Sequence, residues 1–233
     1  DIAIAKAGAI GLVAIALDNT YYTGMLSYDA EQLAAHDMVS MLASNAGPWV
    51  APFGAVEGRF GTNPICFGFP GDPHPIIWDI GTSTIMHAEV MLARRLGQDL
   101  PEGRALNADG QPTVDPNEAM RGAFTAWGGH KGSGLGLMVQ LLGVHAGSEG
   151  MTDDMGGFGM TIVAMKADLF GDGEAAKQRI NQYANDVRTA RPADPASPVR
   201  MPFDRSWADR EKVRASGGFE VNDEIVAKLR AFL

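Results

Sequence analysis

One cysteine, Cys66, in 233 residues excludes an internal disulfide and cannot supply a cysteine-cluster zinc site. Basic residues are scarce: 19 against 28 acidic ones, for a net charge of -9. No basic excess is left to neutralise phosphates, which excludes non-specific nucleic-acid or anionic-membrane binding as a role. Small anionic ligands, which need only one or two local cations, are unaffected by that balance. No apolar run approaches the length of a spanning helix, about twenty residues. The first stretch, DIAIAKAGAIGLVAIAL, has no initiator Met and no basic n-region, and Asp18 ends its apolar character, so it does not read as a signal peptide. It reads as a chain beginning inside a longer protein, with the cytoplasm as the expected location.

What is present is ordinary globular material, 45% hydrophobic and 20% charged, enough for one large domain or two small ones. GLVAIAL (11–17) predicts a strand buried on both faces. Ser27 is placed to cap a helix through YDAEQLAAH. MVSMLA (38–43) predicts the next strand. ICFGF (65–69) and PIIWDI (75–80) predict two antiparallel strands joined through PGDPH. Ser83 is placed to cap a helix through TIMHAEVMLARRL, with Arg94 and Arg95 at its C-terminal end. PEGRALNADGQPTVDP (101–116) reads as a long connection with a turn at NADGQP. GGHKGSGLGLMVQLLGV predicts a buried helix with Leu135, Met138, Leu141 and Leu142 inward. GMTIVAM (159–165) predicts a strand, and residues 174–188 a helix with Ala176, Ile180, Tyr183, Ala184 and Val187 on one stripe. A Pro-rich crossing follows, then a helix from Asn222 with Ile225, Val226, Leu229 and Phe232 inward. The fold class predicted is mixed α/β, with strands and helices interleaved but without strict βαβ order.

The common nucleotide motifs are missing. GGHKGSG lacks the Walker spacing, and GSGLG fails the G-x-G-x-x-G pattern because position 137 is Leu. No carboxylate–histidine metal pattern occurs, and His36, His74, His87, His130 and His145 are scattered. Asp153-Asp154 is a divalent-ion site only on paper, since an oxygen cluster needs further ligands. Glycine-rich turns remain: GTNP (61–64), DIGTS (79–83) and GGHKGSG, the last with a cation at a helix start. Free amides and the helix dipole there favour an anion, which makes Lys131 a sensible partner for phosphate or carboxylate. Cys66, among apolar neighbours, reads as a small hydrophobe, and His87 as a structural histidine.

In this order GTNPICFGFP, DIGTS, LPEGRALNADGQPTVDP and GGHKGSGLGLMVQLL resemble the type-2 malate/L-lactate dehydrogenase family, which also includes ureidoglycolate and sulfolactate dehydrogenases and cyclic ketimine reductases. The resemblance runs from about residue 2 to the C-terminus. It implies an oxidoreductase using NAD or NADP on a non-Rossmann, largely antiparallel fold, acting on a small carboxylate as a homodimer. It also implies a catalytic region spanning 1–233, with about 50–190 binding cofactor and 1–50 and 190–233 packing together as the substrate and dimer part. Asp79, Ile80 and Gly81 match the family's cofactor stretch, and Thr82 and Ser83 continue that turn. Lys131 matches a lysine facing the cofactor, and Thr62 and Asn63 a turn beside the substrate. The family's N-terminal segment, with its carboxylate-clamping arginine, precedes the equivalent of Asp1.

The departures are specific. The family's N-[ST]-x-H motif, aligned on Asn19, Thr20 and Gly24, puts Tyr22 where the catalytic histidine belongs. Met25 stands where many members have Arg, and Ala88-Glu89 where Gly-Lys is common. A phenol can donate a proton, but its ordinary pKa near 10 makes it a slow base at neutral pH, so reduction suits it better than oxidation. His130 is an alternative donor. Three functions stay open: a malate/lactate-type dehydrogenase, a cyclic ketimine reductase, towards which GGHKGS leans, and a non-catalytic cofactor-binding paralogue.

Overall fold

A computed structural model describes residues 1–152, 155–221 and 223–232. Asp153-Asp154 and the start of the last helix at Asn222 lie outside them. The chain divides into two units, 1–182 and the residues from Tyr183 onwards.

In the first unit, α1 (Ile2–Ile10) leads into β1 (Leu12–Thr20), α2 (Leu26–Ala34), β2 (Met38–Ser44), β3 (Ile65–Phe69) and β4 (Ile76–Ile80). With β8 (Phe158–Lys166) these strands form an antiparallel sheet of order β1-β8-β2-β3-β4. The predicted mixed, largely antiparallel architecture is the one observed. Alternation sends Met38 and Ser40 of β2 towards α1 and α2, while Ala43 and Ile65 meet Val139 of α5 (Gly129–His145). β1 departs from expectation. It is an edge strand paired only with β8, and most of its residues are exposed rather than buried on both faces. A short apolar run gives a strand's length but not its place in a sheet.

Residues 87–124 build a second core. α3 (His87–Leu96), β5 (Ala105–Leu106), β6 (Pro112–Thr113), α4 (Pro116–Ala119) and β7 (Ala123–Phe124) surround Val50, Phe60, Val90, Leu100 and Phe124. The predicted turn joins β5 to β6, with Asn107 Oδ1 accepting from the amides of Asp109 and Gln111.

Three local expectations are corrected. Ser27 does not cap α2. The N-cap is Met25, whose side chain has no oxygen to offer, and the Asp79 carboxylate accepts the Ser27 N–H at 2.7 Å instead. Ser83 does not cap α3, because its hydroxyl donates to Ile85 O and the helix begins after Met86. α5 is turned in part relative to its predicted stripe: Leu135 and Leu142 pack against the Ala43, Ile65 and Val139 core, but Gly132, Ser133, Gly136, Val139, Gln140 and Gly143 are the buried residues, and Met138 and Leu141 are 55% and 58% exposed. Close approach explains this. A Cβ at Gly143 would lie 2.3 Å from Asn45 Cγ, so no bulky stripe fits that gap.

α6 (Gly173–Arg188) carries the chain from the first unit into the second. At its start Lys177 pairs with Asp37 and Glu174, and at its middle Asn181 accepts the Asp72 amide. Of its predicted stripe Ala184 is buried and Tyr183 exposed. In the second unit the Arg188 guanidinium grips Asp204 with two bonds, Nε at 2.9 Å and Nη2 at 2.7 Å, at the start of α7 (Asp204–Ser216). α8 (Asp223–Arg230) leaves Ile225, Leu229 and the following Phe232 exposed rather than inward. Helical period decides which side chains share a face, not what covers it.

Candidate active site

The chain leaves the sheet edge where β1 ends. Its register against β8 shifts between Leu17 and Thr20, Asn19 takes a positive φ of 53°, and Thr20 Oγ1 donates to Phe158 O. Asparagine tolerates that conformation better than most residues. The next residues, Tyr21 and Tyr22, therefore sit beyond the strand, edge to face at 5.4 Å.

Tyr22 Oη lies 3.0 Å from Nδ1 of His87, the first residue of α3. The His87 ring is buried and stacks on Trp49 at 4.2 Å with 20° between planes. Glu89, the acid nearest in sequence, is occupied by accepting the Met86 amide at 2.7 Å. Burial holds the His87 imidazole below its ordinary value. Burial, and then Tyr21, push the Tyr22 phenol above its own. Both groups are therefore neutral at neutral pH, and the imidazole tautomer decides which of Oη and Nδ1 donates.

Around this pair lies a small cleft with about 100 Å³ of free space. Its walls are the 21–24 segment, Ser44–Ala46 at the end of β2, Trp49, Thr62, Pro64, Met86–Ala88 and Phe158. None of these carries a fixed charge, and the titratable groups among them are Tyr21, Tyr22 and His87.

Of the residues singled out in the sequence, Tyr22 and Thr62 come together in this cleft. Asn63 lies behind it, fully buried with φ 34°. Its Nδ2 donates to Gly136 O and Gln140 Oε1, and its Oδ1 accepts the Ala46 amide. Thr82 is also buried, and its amide and hydroxyl hold the carbonyl of Thr62. Ile80 ends β4 against the core, and Gly81 approaches Met86 so closely that a Cβ would meet its sulfur at 2.3 Å. Asp79 is joined to α2 as described. Cys66 is buried, its thiol pushed up to about 12 by burial and then by Asp79 and Asp29.

Lys131 stands exposed in the first turn of α5 and is not among the residues lining the cleft. Gly128 and Gly129 precede it at φ 66° and 60°, and His130 rests edge-on against Phe53. First-turn amides have no partner within their own helix. Amides, dipole and an exposed ammonium are a donor set that fits the phosphates of a dinucleotide. Among the described residues there is no group of three or more metal-ligating side chains, and no helix long and apolar enough to cross a membrane.

Sequence reasoning missed His87 as a site residue and gave Trp49 no role. The available signal was the unusual spelling MHAE directly after the cofactor turn.

Known oxidoreductases resemble this chain over most or all of its length. A Δ1-pyrroline-2-carboxylate/Δ1-piperideine-2-carboxylate reductase of Pseudomonas putida is 34% identical, over 100% of this chain and 70% of its own. A (2R)-3-sulfolactate dehydrogenase (NADP+) of Chromohalobacter salexigens is 40% identical over 60% of this chain and 42% of its own. The crystal structure of a dehydrogenase from Sinorhizobium meliloti superposes with a TM-score of 0.88 at 31% identity, covering 97% of this chain and 68% of that one. The family model for malate/L-lactate dehydrogenase matches residues 1–230. The chain belongs to the malate/L-lactate dehydrogenase family, whose members here are dehydrogenases and reductases, and it is an oxidoreductase that works with NAD or NADP.

Proposed function

We propose that this protein interconverts a small 2-oxo carboxylate and its 2-hydroxy counterpart by hydride transfer, with Tyr22 as the proton donor. The carrying observation is the Tyr22 phenol lining an uncharged cleft together with Thr62; the sequence resemblance aligns Tyr22 with the family's acid. A phenol held above its ordinary pKa keeps its proton across the neutral range, so it suits reduction. Lys131 and the α5 amides would hold the cofactor phosphates, with the 79–82 turn alongside; the bound nicotinamide supplies the hydride. Thr62 would orient the substrate, and Asn63 would keep its turn in place. A homodimer in the cytoplasm is part of the proposal, and the exposed Met138 and Leu141 of α5 suit a subunit contact.

A second reading, reduction of a cyclic 2-imino carboxylate, is favoured by the lining itself. Trp49, Pro64 and Phe158 suit a ring of methylenes, whereas a second acid group would meet no cation there.

The test is oxidation of NADH and NADPH against a panel of 2-oxo acids and cyclic imino acids, with wild type and Tyr22→Phe. The variant is expected to lose roughly 10²–10⁴-fold in kcat with cofactor affinity unchanged. Undiminished turnover in Tyr22→Phe removes Tyr22 from the mechanism. If neither cofactor binds, the whole reading fails.

A further inference from the structure

We propose that Tyr22 and His87 act as one proton-handling pair, in which His87 positions the phenol and returns the proton that Tyr22 delivers. The proposal rests on the oxidoreductase reading above and adds His87 to it as a positioning residue.

The geometry leaves the imidazole little else to do. Its ring is fixed by the Trp49 stack, and its Nδ1 faces the Tyr22 oxygen at 3.0 Å. No carboxylate or ammonium lines the cleft to compete for either group. The other elements around His87 contribute Tyr21 from the 21–24 segment, and uncharged residues from β2, the 61–64 turn and the start of β8. On its own helix Glu89 is committed to the Met86 amide. Asn45, the nearest amide in the wall, is occupied with Ser148 and Gly159.

Two protonation states follow. With neutral His87, Tyr22 Oη–H donates to Nδ1, which fixes the Nε2–H tautomer and points the phenolic proton away from the cleft. With protonated His87, Nδ1–H donates to the Tyr22 oxygen, and the phenolic proton is free to face a substrate. In reduction, the substrate carbon gains a hydride with its electron pair from the reduced nicotinamide. The Tyr22 O–H bond breaks as its proton forms the new O–H or N–H bond on the substrate. The Nδ1–H bond then breaks and restores the phenol, leaving His87 neutral until solvent re-protonates it. One hydride and one proton enter the substrate, and no charge is left on Tyr22.

The sign of the pH dependence follows. Reduction needs protonated His87, so its kcat falls as pH rises through the His87 pKa, which burial keeps below the ordinary histidine range. Oxidation needs neutral His87 and rises over the same interval. Tyr22 acting alone would place that break above the ordinary tyrosine value of about 10.

Two measurements on the whole chain test the pair. The first needs no substrate: nitrogen NMR of His87 in wild type and Tyr22→Phe. The wild-type Nδ1 is expected to be the unprotonated acceptor, and its titration midpoint to move by about half a pH unit or more when the phenol oxygen is removed. An unchanged Nδ1 signal and midpoint would overturn the pair. The second is the pH profile of reduction in His87→Gln, with folding checked by circular dichroism. There kcat should drop about hundredfold with KM within about twofold, and the histidine-range break should disappear. A profile superimposable on wild type would overturn the pair as well. If His87→Gln fails to fold, the NMR comparison decides. No turnover with either cofactor would overturn the oxidoreductase reading, and the NMR result would still decide whether the two groups are coupled.

Discussion

Replacing Asp79 separates a helix cap from a cofactor ligand. Its carboxylate accepts the Ser27 amide at 2.7 Å, at the start of a nine-residue helix whose own N-cap, Met25, makes no side-chain cap. Asp79→Ala leaves that amide without its partner and removes a negative charge from the positive end of the helix dipole. A side-chain cap is worth about 1 kcal/mol, and a charged acceptor near a helix start adds roughly 0.3–1 kcal/mol. The expected loss is therefore about 1–2 kcal/mol, or roughly 2–8 °C in Tm for a chain of this size. Asp79→Asn keeps an oxygen and loses only the charge, so it should cost about half as much. Thermal and urea unfolding followed by far-ultraviolet circular dichroism reads both variants, and fluorescence titration of NADH and NADPH is run in parallel. A change below about 0.3 kcal/mol in Asp79→Ala, together with weakened cofactor binding, would refute the cap and make Asp79 a ligand.

Cys66 should resist alkylation at neutral pH in the folded chain and react once unfolded, because its thiol is pushed up to about 12. The sign for stability follows from the same shift. Its contribution is intact below the unfolded thiol value of 9.0 and declines between there and about 12, where the unfolded chain alone forms thiolate. An alkaline unfolding series with Cys66→Ala checks this, and the decline should be smaller in the variant. Gly143→Ala would place a methyl 2.3 Å from Asn45 Cγ, which is held by Ser148 and the Gly159 amide and cannot step aside. The gain in helix propensity, about 0.5–1 kcal/mol, is outweighed by overpacking of about 1–3 kcal/mol. Unfolding midpoints should show a net loss, and an unchanged or higher midpoint would refute the close packing.

The strands at 38–44, 65–69 and 158–166 were legible because their runs have strand length and β-branched content between turn residues. Their antiparallel order in one sheet was legible only for the 65–69 and 76–80 pair, whose short linker permits no crossover. The family was legible from four ordered turns, because glycine, proline and asparagine are needed wherever backbone must turn or come close. Tyr22 as the odd residue was legible for the same reason: its neighbours Asn19, Thr20 and Gly24 set the frame.

Other features belong to tertiary structure, since each depends on residues far apart in the chain. The sequence could not say that β1 lies at an edge, that α5 buries its glycines more deeply than its leucines and leaves Met138 and Leu141 exposed, or that Asp79 rather than Ser27 serves α2. A helical period or a capping residue type describes one segment, while burial and hydrogen bonding are settled by which second segment arrives. The same reason hid the site's partner group. Tyr22 and His87 are 65 residues apart, and only the fold brings phenol and imidazole to 3.0 Å.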